Sequence, residues 1–336
     1  MDIRYFLGAN SAAGFSSHYD QILPSREGGM LRVLKGGSGC GKSTLMKKVA
    51  AHALQLGLSV RYIHCSSDPD SLDGILIPSV GYAVVDGTAP HVVEPELCGC
   101  GERYVDLSSI GDEDSLISCR HILRKIKQAA IDSRAEASVY LSALAAVQRL
   151  LPEGSAIPTA IADRLIPEQG SSGTLQTVFL SGHTPSGRMT FWQTAELLCP
   201  ERYLLRGAPK QITDFLRYAS ALAVARGCDG ILCDSPLLPG TQAEHLLLPG
   251  AGLAFLSDTP LAPCPLEAKS CFGSHPESEE LLPIQKQLLR SATAKLKQAL
   301  EFHDLLEDAC APFLSYASAN RAALECCAEL EALHSA

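Results

Sequence analysis

The chain has 336 residues, 46% hydrophobic and 19% charged, with a formal charge of −9. That length and apolar content allow two domains of ordinary size with buried cores and argue against disorder. The acidic balance argues against a large nucleic-acid footprint, which would show as a basic surface. Residues 1–10 lack a charged segment leading into an apolar core, so no secretory signal is read. The longest strongly apolar stretch, Leu246 to Leu256, contains Pro249 and is too short to span a bilayer. The expectation is a cytoplasmic protein without membrane contact, its 13 cysteines held as reduced thiols.

The first predicted strand, over 31–35, runs directly into Gly36, Gly37, Ser38, Gly39, Cys40, Gly41, Lys42, Ser43 and Thr44. A run of good helix formers follows, over 45–54. This is GxxxxGK[ST] in its strand–loop–helix setting, the P-loop pattern. Each residue type has a physical reason. Glycines let consecutive N–H groups turn inward around phosphates at a helix N-terminus. Lys42 is expected to reach the β- and γ-phosphates, and Ser43 to ligate Mg²⁺. Cys40, inside the loop, reads as a tolerated small residue rather than a redox switch.

A second strand is predicted over 59–63, followed by His64-Cys65-Ser-Ser-Asp68-Pro-Asp70-Ser-Leu-Asp73. In a P-loop fold the carboxyl ends of the strands face the nucleotide. Asp68, Asp70 and Asp73 are therefore candidates for Mg²⁺ contact, for positioning water, or for accepting a substrate proton; the alternative is a turn rich in capping aspartates. Val84-Val85-Asp86 lies 44 residues beyond Lys42 and supplies the best acid to hold Mg²⁺ from a neighbouring strand. Glycine rather than glutamate follows it, so the acidic pair of many ATP-hydrolysing motors is missing. Cys98-Gly-Cys100, with His91 nearby, is the one pairing that hints at another metal, without the second ligand pair that zinc usually requires.

After Asp112, a plausible N-cap, Leu116, Cys119, Leu123, Ile126 and Ala130 follow helical spacing. Arg120, Arg124, Lys125 and Lys127 make this stretch locally basic, as a solvated face or a phosphate contact. The chain then repeats itself. Tyr5–Gly14 resembles Val178–Gly187 at an offset of 173, Arg32–Gly36 resembles Tyr203–Gly207 at 171, and Pro78–Thr88 resembles Pro249–Thr259 at 171. Leu45 and Leu216 keep the 171 offset, and Cys65 and Cys233 each close a β-like run. Overlaid at 171, the second half sets Ile212, Thr213 and Asp214 against Gly41, Lys42 and Ser43, so its site is expected to repel nucleotide. Asp234 reads as a cap. Leu282, Leu289 and Leu296 recur every seven residues before a break at Pro312.

These readings combine into an α/β protein with a P-loop NTPase fold, internally duplicated, each half carrying a helical-hairpin extension. Residues 1–173 form the nucleotide-binding half, with helices over about 112–166, and residues 174–336 the degenerate half, with helices over about 276–334. Strand and P-loop Leu34–Lys48, the His64–Gly74 segment and Asp86-Gly-Thr-Ala-Pro-His91 resemble a family of bacterial tandem-P-loop proteins, described as ATP-binding proteins or predicted ATPases. The resemblance covers residues 1–110 closely and the second half loosely. It implies ATP binding by Gly36–Thr44, with His64–Asp73 and Asp86–His91 lining the site. Family members often carry a usable P-loop in both halves, which this chain does not.

The leading functional expectation is Mg²⁺-dependent ATP hydrolysis coupled to conformation or to a protein or small-molecule partner. Lys42, Asp86, Asp68 and Asp70 are the candidate catalytic residues, with Ser43 and Asp86 as Mg²⁺ ligands. The alternatives are a small-molecule or nucleotide kinase with Asp68 or Asp70 as base, and a nucleotide sensor without turnover. The only asparagines are Asn10 and Asn320, so no NKxD guanine motif exists, and no LSGGQ-like signature appears.

Overall fold

The computed structural model describes residues 2–22, 29–152, 156–275 and 279–335. In the first half these form β1 (Asp2–Tyr5), β2 (Gly8–Ser11), β3 (Gly14–Ser17), β4 (Met30–Lys35), α1 (Lys42–Gln55), β5 (Val60–His64), β6 (Leu72–Ile77), β7 (Tyr82–Asp86), β8 (Glu102–Asp106), α2 (Glu113–Gln148) and α3 (Ala160–Leu165). The second half adds β9 (Leu175–Val178), β10 (Ser181–Thr184), β11 (Gly187–Thr190), α4 (Trp192–Leu198), β12 (Glu201–Arg206), α5 (Pro209–Ala225), β13 (Gly230–Asp234), β14 (Ala243–Leu248), β15 (Leu253–Ser257), β16 (Ser270–Gly273), α6 (Leu281–Cys310) and α7 (Ala317–Ser335). No helix among the described residues is long and apolar enough to cross a membrane.

The duplication is topological. One six-stranded sheet has the order β1-β5-β6-β7-β4-β8, and the other β9-β13-β14-β15-β12-β16. In the first, β1, β5, β7, β4 and β8 run the same way and β6 runs against them. In the second, β14 is the reversed strand. Strands β6 and β7 are buried along their whole length, which is why Ile75–Ile77 and Tyr82–Val85 read as apolar runs rather than as alternations.

The chain separates into two compact units that interleave in sequence. Unit 1 comprises Met1–Gly8, Ser17–Ala135 and Lys295–Ala336, and unit 2 comprises Ala9–Ser16 and Glu136–Ala294. The β2–β3 hairpin, early in the sequence, belongs to unit 2: Asn10 Nδ2 donates to the His183 carbonyl at 2.9 Å and the Ala12 amide to Leu237 O at 3.1 Å. The C-terminal helix α7 belongs to unit 1. Its stripe of Ala319, Ala322, Ala323, Cys326 and Leu330 joins Leu45, Met46, Val49, Ala50 and Ala53 of α1 in one core. Small residues on both helices allow that close approach.

The break expected around Pro152–Pro158 falls between α2 and the short helix α3. α2 is a single helix of 36 residues. It contains neither glycine nor proline to break it, and Asp112 caps its start by accepting from the Ser115 amide at 3.1 Å. α6 and α7 do separate at Pro312, but α7 turns back onto α1 instead of extending the second half. Residues 153–155 and 276–278 of the expected extensions lie outside the described residues.

α7 is also anchored by charge. Glu329 accepts from Arg32 Nε at 2.7 Å, Tyr82 Oη at 2.8 Å and an Arg103 terminal nitrogen at 2.6 Å. Burial alone would push the Glu329 carboxyl up, but the hydrogen bonds from Arg32 and Tyr82 and the charges of Arg32 and Arg103 outweigh it and hold the carboxyl low. Replacing Glu329 with alanine leaves the Arg32 guanidinium buried without its carboxylate, which should cost unit 1 about 3 kcal/mol, read as a lowered urea midpoint. A carboxyl held low when folded stabilises above the unfolded-state value and loses that contribution as pH falls through the folded one. Acid should therefore destabilise the native chain below about pH 4.5 more steeply than it destabilises Glu329→Ala.

Candidate functional site

The same-direction strands of unit 1 deliver their carboxyl ends to one edge of the sheet, and the reversed strand β6 delivers its amino end there. The predicted phosphate loop sits at that edge, between β4 and α1. Gly39 and Gly41 adopt φ of 75° and 92°, left-handed values that side-chain-bearing residues rarely take. They let Gly36–Gly41 fold back on itself, and Gly41 becomes the N-cap of α1. Lys42 Nζ lies on the loop's own carbonyls, 3.1 Å from Gly36 O and 3.0 Å from Gly37 O.

Asp86 is brought alongside by the sheet. β7 pairs in parallel with β4, setting Asp86 opposite Leu34. Its two oxygens do different work. Oδ1 accepts from the Thr88 amide at 2.8 Å and the Thr88 hydroxyl at 2.6 Å, while Oδ2 lies 3.7 Å from Lys42 Nζ. The turn reading of this residue holds in these contacts with Thr88, and its other oxygen faces Lys42. The glycine after it has a steric cause: a Cβ at Gly87 would stand 2.3 Å from Val33 Cγ1 and 3.1 Å from Val93 O. A glutamate has no room there.

Ser43 Oγ accepts the Leu72 amide at 3.0 Å, docking the first turn of α1 on the start of β6. Asp68 and Asp70 are placed differently from Asp86. Asp68 caps its own turn, accepting the Asp70 amide at 3.3 Å, and Asp70 is exposed, its carbonyl receiving Lys47 Nζ at 2.7 Å. His64 braces the same turn through Nδ1, 2.8 Å from Pro69 O. Asp73 is the aspartate of this segment that reaches the buried edge. Cys40 is buried, and burial pushes its thiol up, which suits packing better than redox reactivity.

A second cluster lies at the same edge. One ligand atom each of Cys65, Asp73 and His91 fall within 4.8 Å of one another. His91 Nε2 stands 3.4 Å from Asp73 Oδ2, and the Tyr19 and His91 rings are 5.2 Å apart. Burial pushes the Asp73 carboxyl up, His91 pulls it down, and the charge of Asp86 adds to the rise. Cys98 and Cys100 are exposed, whereas His91 is buried beside Cys65 and Asp73. The signal available in the sequence was positional, since Cys65 follows one strand, Asp73 opens the next and His91 follows a third.

Arg103 pairs with Glu329, Arg188 pairs with Glu244 at 2.6 Å in unit 2, and Arg120 and Arg124 are exposed on α2. Glu307 was not foreseen. This α6 residue accepts the Gly39 amide at 2.9 Å, setting a carboxylate on a donor of the phosphate loop.

Unit 2 corrects the overlay of the two halves by one residue. The Ala243 amide donates to Thr213 Oγ1 at 3.1 Å, as the Leu72 amide does to Ser43. The Cys228 amide donates to Ala223 O as Leu58 does to Ala53. Along the helix the offset is therefore 170, so Thr213 matches Ser43, Ile212 matches Lys42, and Leu216 matches Met46 rather than Leu45. β13 matches β5 at the same offset and ends at Asp234, so Cys233 lies within its strand while Cys65 lies beyond its own. Asp214 faces outward, paired with Lys210 at 2.6 Å, and sets no charge against the site. The loss of the nest has another cause: α5 starts at Pro209, three residues earlier than α1 does at this offset, and its first turn fills the loop's place. Asp234 caps a turn by accepting the Gly240 amide at 2.9 Å. A cavity at this edge is lined by Arg188, Trp192, Glu244 and His245, with burial pushing His245 down to about 4 against the pull of Glu244.

No family model, curated protein or solved structure matches the chain. The geometry has to carry the site. If the Gly39 amide belongs to an anion-binding nest, Glu307 competes for it. Glu307→Ala should then raise affinity for Mg²⁺–tripolyphosphate about fivefold, measured by calorimetry. Unchanged or weaker binding would contradict that competition.

Proposed function

We propose that this chain is a Mg²⁺-dependent ATP-binding protein of the P-loop NTPase class, using the loop of unit 1. One observation carries the reading: a glycine loop with two left-handed residues precedes α1, and its lysine lies on the loop carbonyls, 3.7 Å from Asp86 on the adjacent parallel strand. A polyphosphate entering this loop gives Lys42 a stronger partner than two neutral carbonyls. The amides of 37–43 supply donors at a helix N-terminus, where anions are favoured. Ser43 and Asp86 are the residues to hold Mg²⁺, the hydroxyl by its remaining lone pair and the carboxylate through Oδ2 or a bridging water.

Hydrolysis is the leading reaction within this reading, with slow turnover expected. Gly87 excludes the glutamate that activates water in many motors, and the Asp68 carboxylate is engaged in its own turn. The kinase alternative loses support at Asp68 and keeps Asp70, whose side chain is exposed. A nucleotide-responsive switch without rapid turnover gains it from Glu307, because nucleotide and α6 then compete for the Gly39 amide.

Calorimetry with Mg-ATP tests the binding. Lys42→Ala should weaken it roughly ten- to hundredfold, and Asp214→Ala, on the exposed face of α5, should leave it unchanged. Equal binding by the wild type and Lys42→Ala would remove the phosphate loop from the mechanism. Phosphate release from Mg-ATP alone, slow but abolished in Lys42→Ala, distinguishes hydrolysis from transfer, which stays silent until an acceptor is supplied.

A further inference from the structure

The phosphate loop makes no use of the Cys65–Asp73–His91 cluster, whose chemistry differs from that of a Mg²⁺ site. The three residues come from separate places in the chain: Cys65 just after β5, Asp73 on the reversed strand β6, and His91 in the loop after β7. The sheet brings their ligand atoms within 4.8 Å of one another. Asp73 and His91 are more than nine-tenths buried, and Cys65 is half-buried.

Asp73 supplies the second observation. Its Oδ2 is buried and accepts no hydrogen bond among the described residues. An unsatisfied buried carboxylate oxygen is expensive and calls for an explanation. That oxygen nevertheless stands 3.4 Å from His91 Nε2. Two ligands bound to one tetrahedral zinc ion, each at about 2.0–2.1 Å, sit about 3.3 Å apart. The spacing therefore fits a pair converging on a shared cation.

We propose that Cys65, Asp73 and His91 form a tetrahedral site for a divalent transition metal, zinc by donor preference, with the fourth position open. A thiolate and an imidazole select zinc over the oxygen-loving Mg²⁺ and Ca²⁺. Thiolate plus carboxylate carry two negative charges, which a dication neutralises. The proposal needs no nucleotide and stands apart from the reading of the phosphate loop.

The test is a Co²⁺ titration of the metal-free full-length chain without nucleotide. One equivalent should produce a near-ultraviolet thiolate-to-cobalt charge-transfer band with the visible d–d absorption of a tetrahedral ion, and Zn²⁺ should bleach both. Cys65→Ser should lose the charge-transfer band. Asp73→Asn and His91→Gln should each weaken Co²⁺ binding at least about tenfold. The double replacement of Cys98 and Cys100 by serine, which removes exposed thiols, should leave the spectrum intact. Absence of the band at one equivalent, or its persistence in Cys65→Ser, overturns the site. Should Cys65→Ser not fold, Asp73→Asn decides: unchanged Co²⁺ affinity overturns the proposal, and a loss supports it.

Discussion

A strand-start amide donated to a hydroxyl near the helix's N-terminus, in the first turn of α1 and the second of α5, fixes the geometry of both units. Leu72 donates to Ser43 at 3.0 Å, and Ala243 to Thr213 at 3.1 Å. Same-direction strands that end at an edge offer mostly carbonyls there. A strand running the other way begins at that edge and brings a free N–H, which the hydroxyl accepts. The single reversed strand in each sheet thus pins the N-terminal turn of the helix to the sheet, whatever loop leads into it. With that anchor in place, the loop is free to differ between the halves.

It does differ, and by little. Six residues separate Lys35 from Lys42, and five separate Arg206 from the matching Ile212. The longer loop, with glycines at φ of 75° and 92°, keeps its amides out of helical hydrogen bonding. The shorter one contains Pro209, which suits the first turn of a helix, and α5 extends backward through the space. Its amides are consumed by ordinary turn and helix bonds: Ala208 N–H meets Gln211 Oε1 at 3.0 Å, and Ile212 N–H meets Ala208 O at 3.2 Å. Charge repulsion by Asp214, expected from the overlay, plays no part. Backbone geometry alone removes the anion site.

What was legible in the sequence was local. The strand, the loop, α1 and the strand ending in Asp86 are runs of consecutive residues with fixed chemistry, and the sheet needed only to set β7 beside β4. The one-residue slip in the overlay escaped notice because Leu45 and Met46, like Phe215 and Leu216, are adjacent apolar residues that both face the core, so either register matches apolar to apolar. The docking of α7 was out of reach for another reason. Its alanine stripe reads equally well against any helix, and the ion pair that fixes it joins Arg32 to Glu329 across 297 residues. The Cys65–Asp73–His91 cluster falls between these cases. Its members are spread over 26 residues and share no spacing rule; what unites them is a common sheet edge, which becomes visible only once the direction of β6 is known.

The edge of unit 1 brings opposite charges together. Asp73 and Asp86 are both buried, the charge of Asp86 pushes the Asp73 carboxyl up, and Glu307 adds a third carboxylate at the loop. Lys42 lies between two loop carbonyls and Asp86. Burial of like charges is tolerated where ions answer them. Under the proposed function, a metal–polyphosphate complex would answer Asp86 and the loop amides in one ligand, while Asp73 would be answered by the separate site proposed with Cys65 and His91. The corresponding edge of unit 2 differs on both counts: Glu244 is paired with Arg188 at 2.6 Å, and the start of α5 takes the place of the loop.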